Sequence, residues 1–110
     1  MADTIKVLGQ AYPSPATITT LYTTPALTSA VVSTLVICNL SSTVSDTVSV
    51  LIRVGGAAAS NPQYILSLMP VGPNDTYTAT IGISLAATDI VSCFATNGTC
   101  SFNLFGVQIT

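Results

Sequence analysis

The sequence predicts an all-β protein: a two-sheet antiparallel β-sandwich of about eight strands, with jelly-roll or Ig-like strand order. The β-branched residues Thr, Val and Ile, which favour extended strands, number 17, 11 and 9 among 110 residues. Apolar and polar side chains alternate with a period of two in several segments, and no segment of helical length shows a helical period. Strand candidates recur about every 8 to 15 residues, separated by Pro, Gly and Asn, which is typical of a sandwich.

The amino-terminal quarter of the chain carries the weakest strand signals. Candidate strands at residues 5–8 and 17–23 alternate poorly, and three prolines fall in this region. We therefore expect residues 1–25 to form an extended N-terminal arm with weak strands. Residues 26–110 are expected to form the β-sandwich of a single-domain protein.

Residues 30–38 are apolar on both faces at their centre. One face carries Val31, Leu35 and Ile37, and the other is equally apolar. Such a strand is either central in a sheet or covered by a partner. We therefore take Val31, Leu35 and Ile37 as candidate interface residues. Arg53, on the polar face of the following strand, is either solvated or a further interface contact.

Two later segments, residues 47–54 and 76–83, alternate regularly. Every second position is apolar and is expected to face the core, whereas most intervening positions carry hydroxyl groups. The predicted inward residues are Val48, Val50, Ile52 and Val54 in the first segment and Tyr77, Ala79, Ile81 and Ile83 in the second. Both segments are predicted to be half-buried antiparallel strands.

Residues 63–69, 89–95 and 101–109 complete the set of strong candidates. Asn97-Gly98 separates the last two strands and is the residue pair that a type I′ hairpin turn favours. A two-residue loop makes Cys93 and Cys100 diagonal neighbours on one face, whereas a four-residue loop places them directly opposite each other, where they could form a disulfide. The alternative is free thiols that pack as small apolar groups, and a cytosolic origin favours it.

The last strand has an internal conflict of parity. Phe102 and Leu104 share one face, whereas Phe105, Val107 and Ile109 share the other. A β-bulge near residues 104–106 would bring both sets to the core, and Gly106 is the expected position for it.

Charged residues are unusually scarce at 5% of the chain, with a net charge of −2 and no histidine. Two cations 47 positions apart do not form a basic groove, so we expect no nucleic-acid partner. Without histidine there is no His-dependent catalytic triad and no His-ligated zinc site. The outward positions carry Ser and Thr instead, which suits a surface covered by other copies.

The first six residues lack a charged-then-apolar leader, so we expect synthesis in a cytosol without export. The mean hydropathy is +0.70, but the longest apolar stretch, residues 26–38, is interrupted by hydroxyl side chains. It is too short and too polar for a membrane-spanning helix. We therefore expect no membrane partner.

The few residues able to carry chemistry are better explained as turn residues. Asp75 and Asp89 each stand where a loop enters a strand, as in Asx turns, and Asp46 lies in a loop in the same way. Cys93 and Cys100 have no histidine base and no cation nearby that would activate a nucleophile. We therefore expect no enzymatic activity, no cofactor and no metal.

Four segments together resemble a group of small virion structural proteins of tailed bacteriophages, notably phages of cyanobacteria and other aquatic bacteria. They are LYTTP at residues 21–25, SAVVSTLVICN at 29–39, LAATDIV at 85–91, and residues 91–110. The resemblance covers most of the chain from about residue 20 and consists of core and turn residues. Cys93 and Cys100 depart from the usual valine-like or small residues.

The resemblance implies a β-sandwich that resides in the virion and has no catalytic motif. The leading hypothesis is a capsid decoration, or cement, protein that binds the major capsid protein as a homo-oligomer, a trimer. A tail, collar or fibre component of the virion is the alternative. A free carbohydrate-binding module is the third hypothesis, although the chain lacks the tryptophans that such modules usually expose.

Overall fold

The computed structural model describes residues 3–110, which form two packed antiparallel sheets. One sheet contains β1 (Asp3–Ala11), β9 (Cys100–Ile109), β3 (Ser29–Asn39), β6 (Thr76–Ala79) and β7 (Ile83–Leu85). The other contains β2 (Thr19–Thr23), β8 (Ile90–Ala95), β4 (Asp46–Arg53) and β5 (Tyr64–Val71). Two 3-10 turns, Val54–Gly56 and Asn61–Gln63, follow β4. The predicted all-β sandwich is confirmed, with nine strands in the described part of the chain.

The strand order is that of a jelly roll. Strands β6 and β7 both pair with β3 and together act as one interrupted edge strand. The sheets then read β1-β9-β3-β6/β7 and β2-β8-β4-β5. The chain repeatedly changes sheets between strands, as in two interlocked Greek keys. Of the two strand orders that the sequence allowed, the structure has the jelly roll.

The core lies between the inner faces of the two sheets. Its largest fully buried apolar side chains are Phe102, Leu35, Ile37 and Leu104. The inward positions predicted for β4 are confirmed at Val48 and Val50, which are fully buried in this core. The prediction of a half-buried strand is wrong, because Ser49 and Leu51 on its other face are buried as well. Val54, predicted to point inward, is 70% exposed because β4 ends at Arg53.

Residues 3–25, predicted as an arm with weak strands, contain two strands that pair with the body of the sandwich. Residues 3–11 run antiparallel to β9, and residues 19–23 run antiparallel to β8. The two strands also contact each other across the sandwich, where Gly9 lies against the backbone of Leu21. Met1 and Ala2, the first residues of the predicted arm, lie outside the described residues.

Strands β8 and β9 do not form the predicted hairpin. Strand β8 pairs with β2 and β4, whereas β9 pairs with β1 and β3 in the opposite sheet. Asn97-Gly98 is therefore the corner at which the chain crosses between sheets. Gly98 has a φ of 68°, but Asn97 has no positive φ, so the turn is not the type I′ turn that the residue pair predicted.

Strand β9 has no bulge between residues 104 and 106, contrary to prediction. The bulges lie in its two neighbours, between Val7 and Gly9 in β1 and between Val32 and Thr34 in β3. Phe102 and Leu104 face the core, whereas the second apolar set on β9 faces away from it. The conflict of parity therefore reflects a strand that is apolar on both faces.

Candidate functional site

The outer face of the five-stranded sheet is apolar at one end. Register places Ile5, Val107 and Val31 side by side on β1, β9 and β3, with Val7 and Phe105 in the next row. Ile109 extends the same face toward the end of β9. We call this surface the apolar face; it comprises Ile5, Val7, Val31, Phe105, Val107 and Ile109.

The two bulges create this face. In β3 the extra residue, Ser33, donates a hydrogen bond from its hydroxyl to the Phe105 carbonyl oxygen at 3.2 Å. The bulge reverses the alternation along β3, so that Ala30 and Val32 face the core before it and Leu35 and Ile37 face the core after it. Val31 consequently points outward.

The predicted interface residues on β3 are therefore divided. Leu35 and Ile37 are fully buried in the core of their own chain, so they are core residues rather than interface residues. Val31 belongs to the apolar face and is 39% exposed. Ile5, at 86% exposure, is the most exposed large apolar side chain of that face.

Arg53, the fourth predicted interface residue, is engaged within the chain. Its Nε donates to the Ala57 carbonyl oxygen at 2.7 Å, and its other guanidinium nitrogens donate to Gly56 O at 3.3 Å and Ser92 Oγ at 3.4 Å. These contacts hold the 3-10 turn that follows β4. The guanidinium therefore organises a loop.

Asp46 is buried and binds the corner between β8 and β9. Its Oδ1 accepts hydrogen bonds from the backbone N–H groups of Thr47 and Asn97, both at 2.8 Å. Its Oδ2 accepts from the Thr99 N–H at 3.0 Å and the Thr99 hydroxyl at 3.1 Å. Burial alone raises the pKa of Asp46, but these donors outweigh burial and hold the pKa below its ordinary value.

Asp75 and Asp89 also bind turns, as predicted. Asp89 accepts from Gly55 N–H at 2.8 Å and Ala86 N–H at 2.9 Å, and Asp75 accepts from Thr76 N–H at 2.9 Å. Together with Asp46 and Arg53, these residues commit four of the six charged side chains to loop backbone. Few charges are therefore left to solvate the outer surfaces.

Cys93 and Cys100 are buried free thiols in different sheets. The hairpin that would have aligned them is absent, and the disulfide between them stays a prediction. Burial raises the pKa of Cys93 to about 12. Burial, with the negative charge of Asp46 nearby, also raises the pKa of Cys100 to about 12.

These surroundings predict a protected pair of thiols. At pH 8 a thiol with such a pKa is ionised in only about one molecule in ten thousand. Because the thiolate is the reactive form, Cys93 and Cys100 should resist alkylation in the folded protein. Cys38, which is partly exposed, should react first. A titration in denaturant without reductant should then count three thiols. A count of one would show that two of the three cysteines are bridged, and peptide mapping would then test whether they are Cys93 and Cys100.

Residues 3–110 contain no cluster of three or more Cys, Asp or Glu side chains suited to holding a metal ion. In the same part of the chain, no helix has the length and apolar character needed to cross a membrane. The apolar face is the candidate functional site because register brings its side chains together on the outer surface, where Ile5, Val7 and Val31 are exposed. Val31 is the residue of this face that the sequence predicted as an interface residue. Phe105, Val107 and Ile109 were predicted to share a face but were expected in the core.

No protein-family model matches this chain, and no curated protein matches it. A chain in the acidic stable capsid structure of Helicobacter pylori bacteriophage KHP30 superposes with a TM-score of 0.54 and 12% identity, over 99% of this chain and 92% of that one. A pentameric capsid protein isolated from metagenomic phage sequences aligns with a TM-score of 0.39 and 14% identity, over 94% of this chain and 62% of that one. The second alignment is too weak to support an argument. The first shows that this jelly roll shares its fold with a chain found in a phage capsid.

Proposed function

We propose that this protein is a structural, non-enzymatic component of a bacteriophage virion, specifically a capsid decoration protein on the outer face of the major capsid protein shell. The apolar face is the observation that carries the proposal, because a contiguous apolar patch on a protein surface marks an interaction site. The likeness to a KHP30 capsid chain supports the setting, because the two chains match over nearly their whole lengths.

Burial of the apolar face between copies explains how the protein would act. A closed homo-oligomer removes this face from water in every copy, and the oligomer proposed for this protein is a trimer. A protein that binds only the assembled shell stabilises the shell by mass action. Sparse surface charge favours such close packing, because neighbouring copies repel each other little.

The copy number of the chain in purified particles tests the location. Decoration of the shell requires on the order of hundreds of copies, because the capsid surface repeats its binding site by symmetry. A tail, collar or fibre component is present in a few to about dozens of copies. Quantitative mass spectrometry of particles, with the major capsid protein as internal standard, distinguishes these outcomes, and a low ratio would reject decoration.

The isolated protein should self-associate through the apolar face. Replacing Ile5 by aspartate places a charge in the buried contact and removes a side chain worth about 1.5–3 kcal/mol when buried. Sedimentation velocity at micromolar concentration should show an oligomer for the wild type and an association at least about tenfold weaker for Ile5→Asp.

Leu40→Asp is the matched control, because Leu40 is 59% exposed and follows the end of β3 that lies opposite to Val31. This variant should sediment as the wild type does. A wild-type protein that is strictly monomeric would contradict self-association. Equal effects of the two substitutions would show that self-association does not use the apolar face.

A further inference from the structure

We propose that a groove on the outer face of the four-stranded sheet binds a neutral saccharide. The groove has a volume of about 520 Å³, which lies within the usual range for small-molecule sites. Tyr64, Phe94 and Leu68 supply its apolar surface, and Ser49, Ser67 and Asn61 supply its polar groups. The proposal does not depend on the virion role.

A β-bulge shapes this groove. Val48 pairs with Met69 and Val50 with Leu66, so residues 67–68 stand opposite Ser49 alone. Leu68 takes the unusual φ of 48° for a non-glycine residue, and its N–H donates to Ser49 Oγ at 2.9 Å. The bulge thereby places residues 67–68 beside the outward side chains of Ser49 and Phe94, which are paired across β4 and β8.

The groove contains an incompletely satisfied buried hydroxyl. Ser49 is only 2% exposed, and its oxygen accepts the Leu68 N–H. None of the described residues accepts the Ser49 hydroxyl proton, so an acceptor in the groove would complete its hydrogen bonding. A sugar hydroxyl or ring oxygen is such an acceptor.

The lining also selects the class of ligand. Aromatic rings offer flat apolar surface for the C–H face of a sugar ring, and the amide and hydroxyl groups match its hydroxyls. No charged side chain is among the described residues of the lining, which disfavours ionic ligands. An extended peptide would need the edge of β5 for strand pairing, and this edge is bulged and carries Pro70.

The groove and the apolar face lie on opposite sides of the sandwich, since each belongs to the outer face of a different sheet. Occupation of one therefore leaves the other open. A protein docked through the apolar face would present the groove to its surroundings.

Titration of the full-length ¹⁵N-labelled protein tests the proposal. The probes are maltohexaose, cellohexaose and chitohexaose, each added to about 10 mM because single-groove saccharide sites bind weakly. At least one should shift the Ser67, Leu68 and Phe94 amides saturably without shifting Val107. A sulfated chondroitin hexasaccharide should bind more weakly than that probe.

Two variants make the result specific. Tyr64→Ala should weaken saccharide binding by about tenfold, which is the effect expected from the loss of one aromatic contact. Asn61→Ala, at an exposed position of a 3-10 turn, should weaken it without risk to the fold. Tyr12→Ala is the control, because Tyr12 is an exposed tyrosine outside the groove.

Three outcomes would overturn the proposal. They are no saturable shift with any of the three neutral hexasaccharides, unchanged affinity in both groove variants, and stronger shifts at the same amides from a Gly-Ser hexapeptide. The last outcome would assign the groove to peptide. None of these results bears on self-association or on copy number, so the virion proposal stands or fails separately.

Discussion

Replacing Asp46 by asparagine should lower the free energy of unfolding by about 2–4 kcal/mol. Both carboxylate oxygens of Asp46 accept two hydrogen bonds each, and three of the four donors are backbone N–H groups. In asparagine an NH₂ group replaces one of the two carboxylate oxygens. This group donates and does not accept, so it would face N–H donors without forming a hydrogen bond to them. The corner between β8 and β9 depends on these bonds. Urea denaturation at pH 7 measures the loss.

Asp75→Asn is the matched control for this substitution. Its carboxylate lies at the surface and accepts one backbone hydrogen bond, from Thr76. Its loss should cost less than about 1 kcal/mol. Equal destabilisation by the two substitutions would contradict a special role for Asp46 in the corner.

The depressed pKa of Asp46 also predicts sensitivity to acid. Because the pKa is lower in the folded than in the unfolded protein, Asp46 contributes its full stability above its ordinary pKa of 3.8. That contribution is lost as the pH falls from this value through the lower pKa of the folded protein. Urea midpoints between pH 7 and pH 2.5 should fall less steeply for Asp46→Asn than for the wild type.

Replacing Gly106 by alanine should destabilise the protein by about 3 kcal/mol or more. A Cβ at this position would overlap the carbonyl oxygen of Val31 and press against Leu8 Cδ1 at 3.0 Å. The overlap involves the backbone of the neighbouring strand beside its bulge, which a rotamer change does not relieve. Thermal and urea unfolding should show the loss, together with reduced soluble expression.

Gly82→Ala provides the control for this prediction. A Cβ on Gly82 meets nothing within 4 Å, and Gly82 has no positive φ that would strain alanine. Its stability should therefore stay close to that of the wild type. A Gly106→Ala protein as stable as Gly82→Ala would contradict the close approach of β9 to β3.

Local patterns predicted those features that depend on neighbouring residues along the chain. The alternation of residues 47–52 correctly assigned Val48 and Val50 to the core. The positions of Asp75 and Asp89 before strands correctly indicated turn chemistry, because each accepts a nearby backbone N–H, from Thr76 and Ala86 respectively. The bond of Asp89 to Gly55 N–H joins distant parts of the chain and was not predictable locally. Weak alternation at residues 5–8 understated β1, an edge strand whose side chains are mostly exposed.

Longer-range features were not predictable in the same way. Asn97-Gly98 indicates a reversal of the chain, but a turn does not specify whether the strand beyond it pairs with the strand before it. The order of the sheets decides that, and here β9 pairs between β1 and β3. The groove was missed because Ser49 and Leu68 come together only through the β4–β5 bulge.

The amino-acid sequence was sufficient to establish an all-β sandwich, its scarcity of charge, and two apolar sets of residues on the last strand. Folding determined which apolar set forms the core, because bulges in β1 and β3 reverse side-chain direction while β9 continues unbroken. A shift of one residue exchanges the two faces of a strand, and pairing across the sheet sets that shift. The apolar face therefore exists only where three strands distant in the sequence are brought into register.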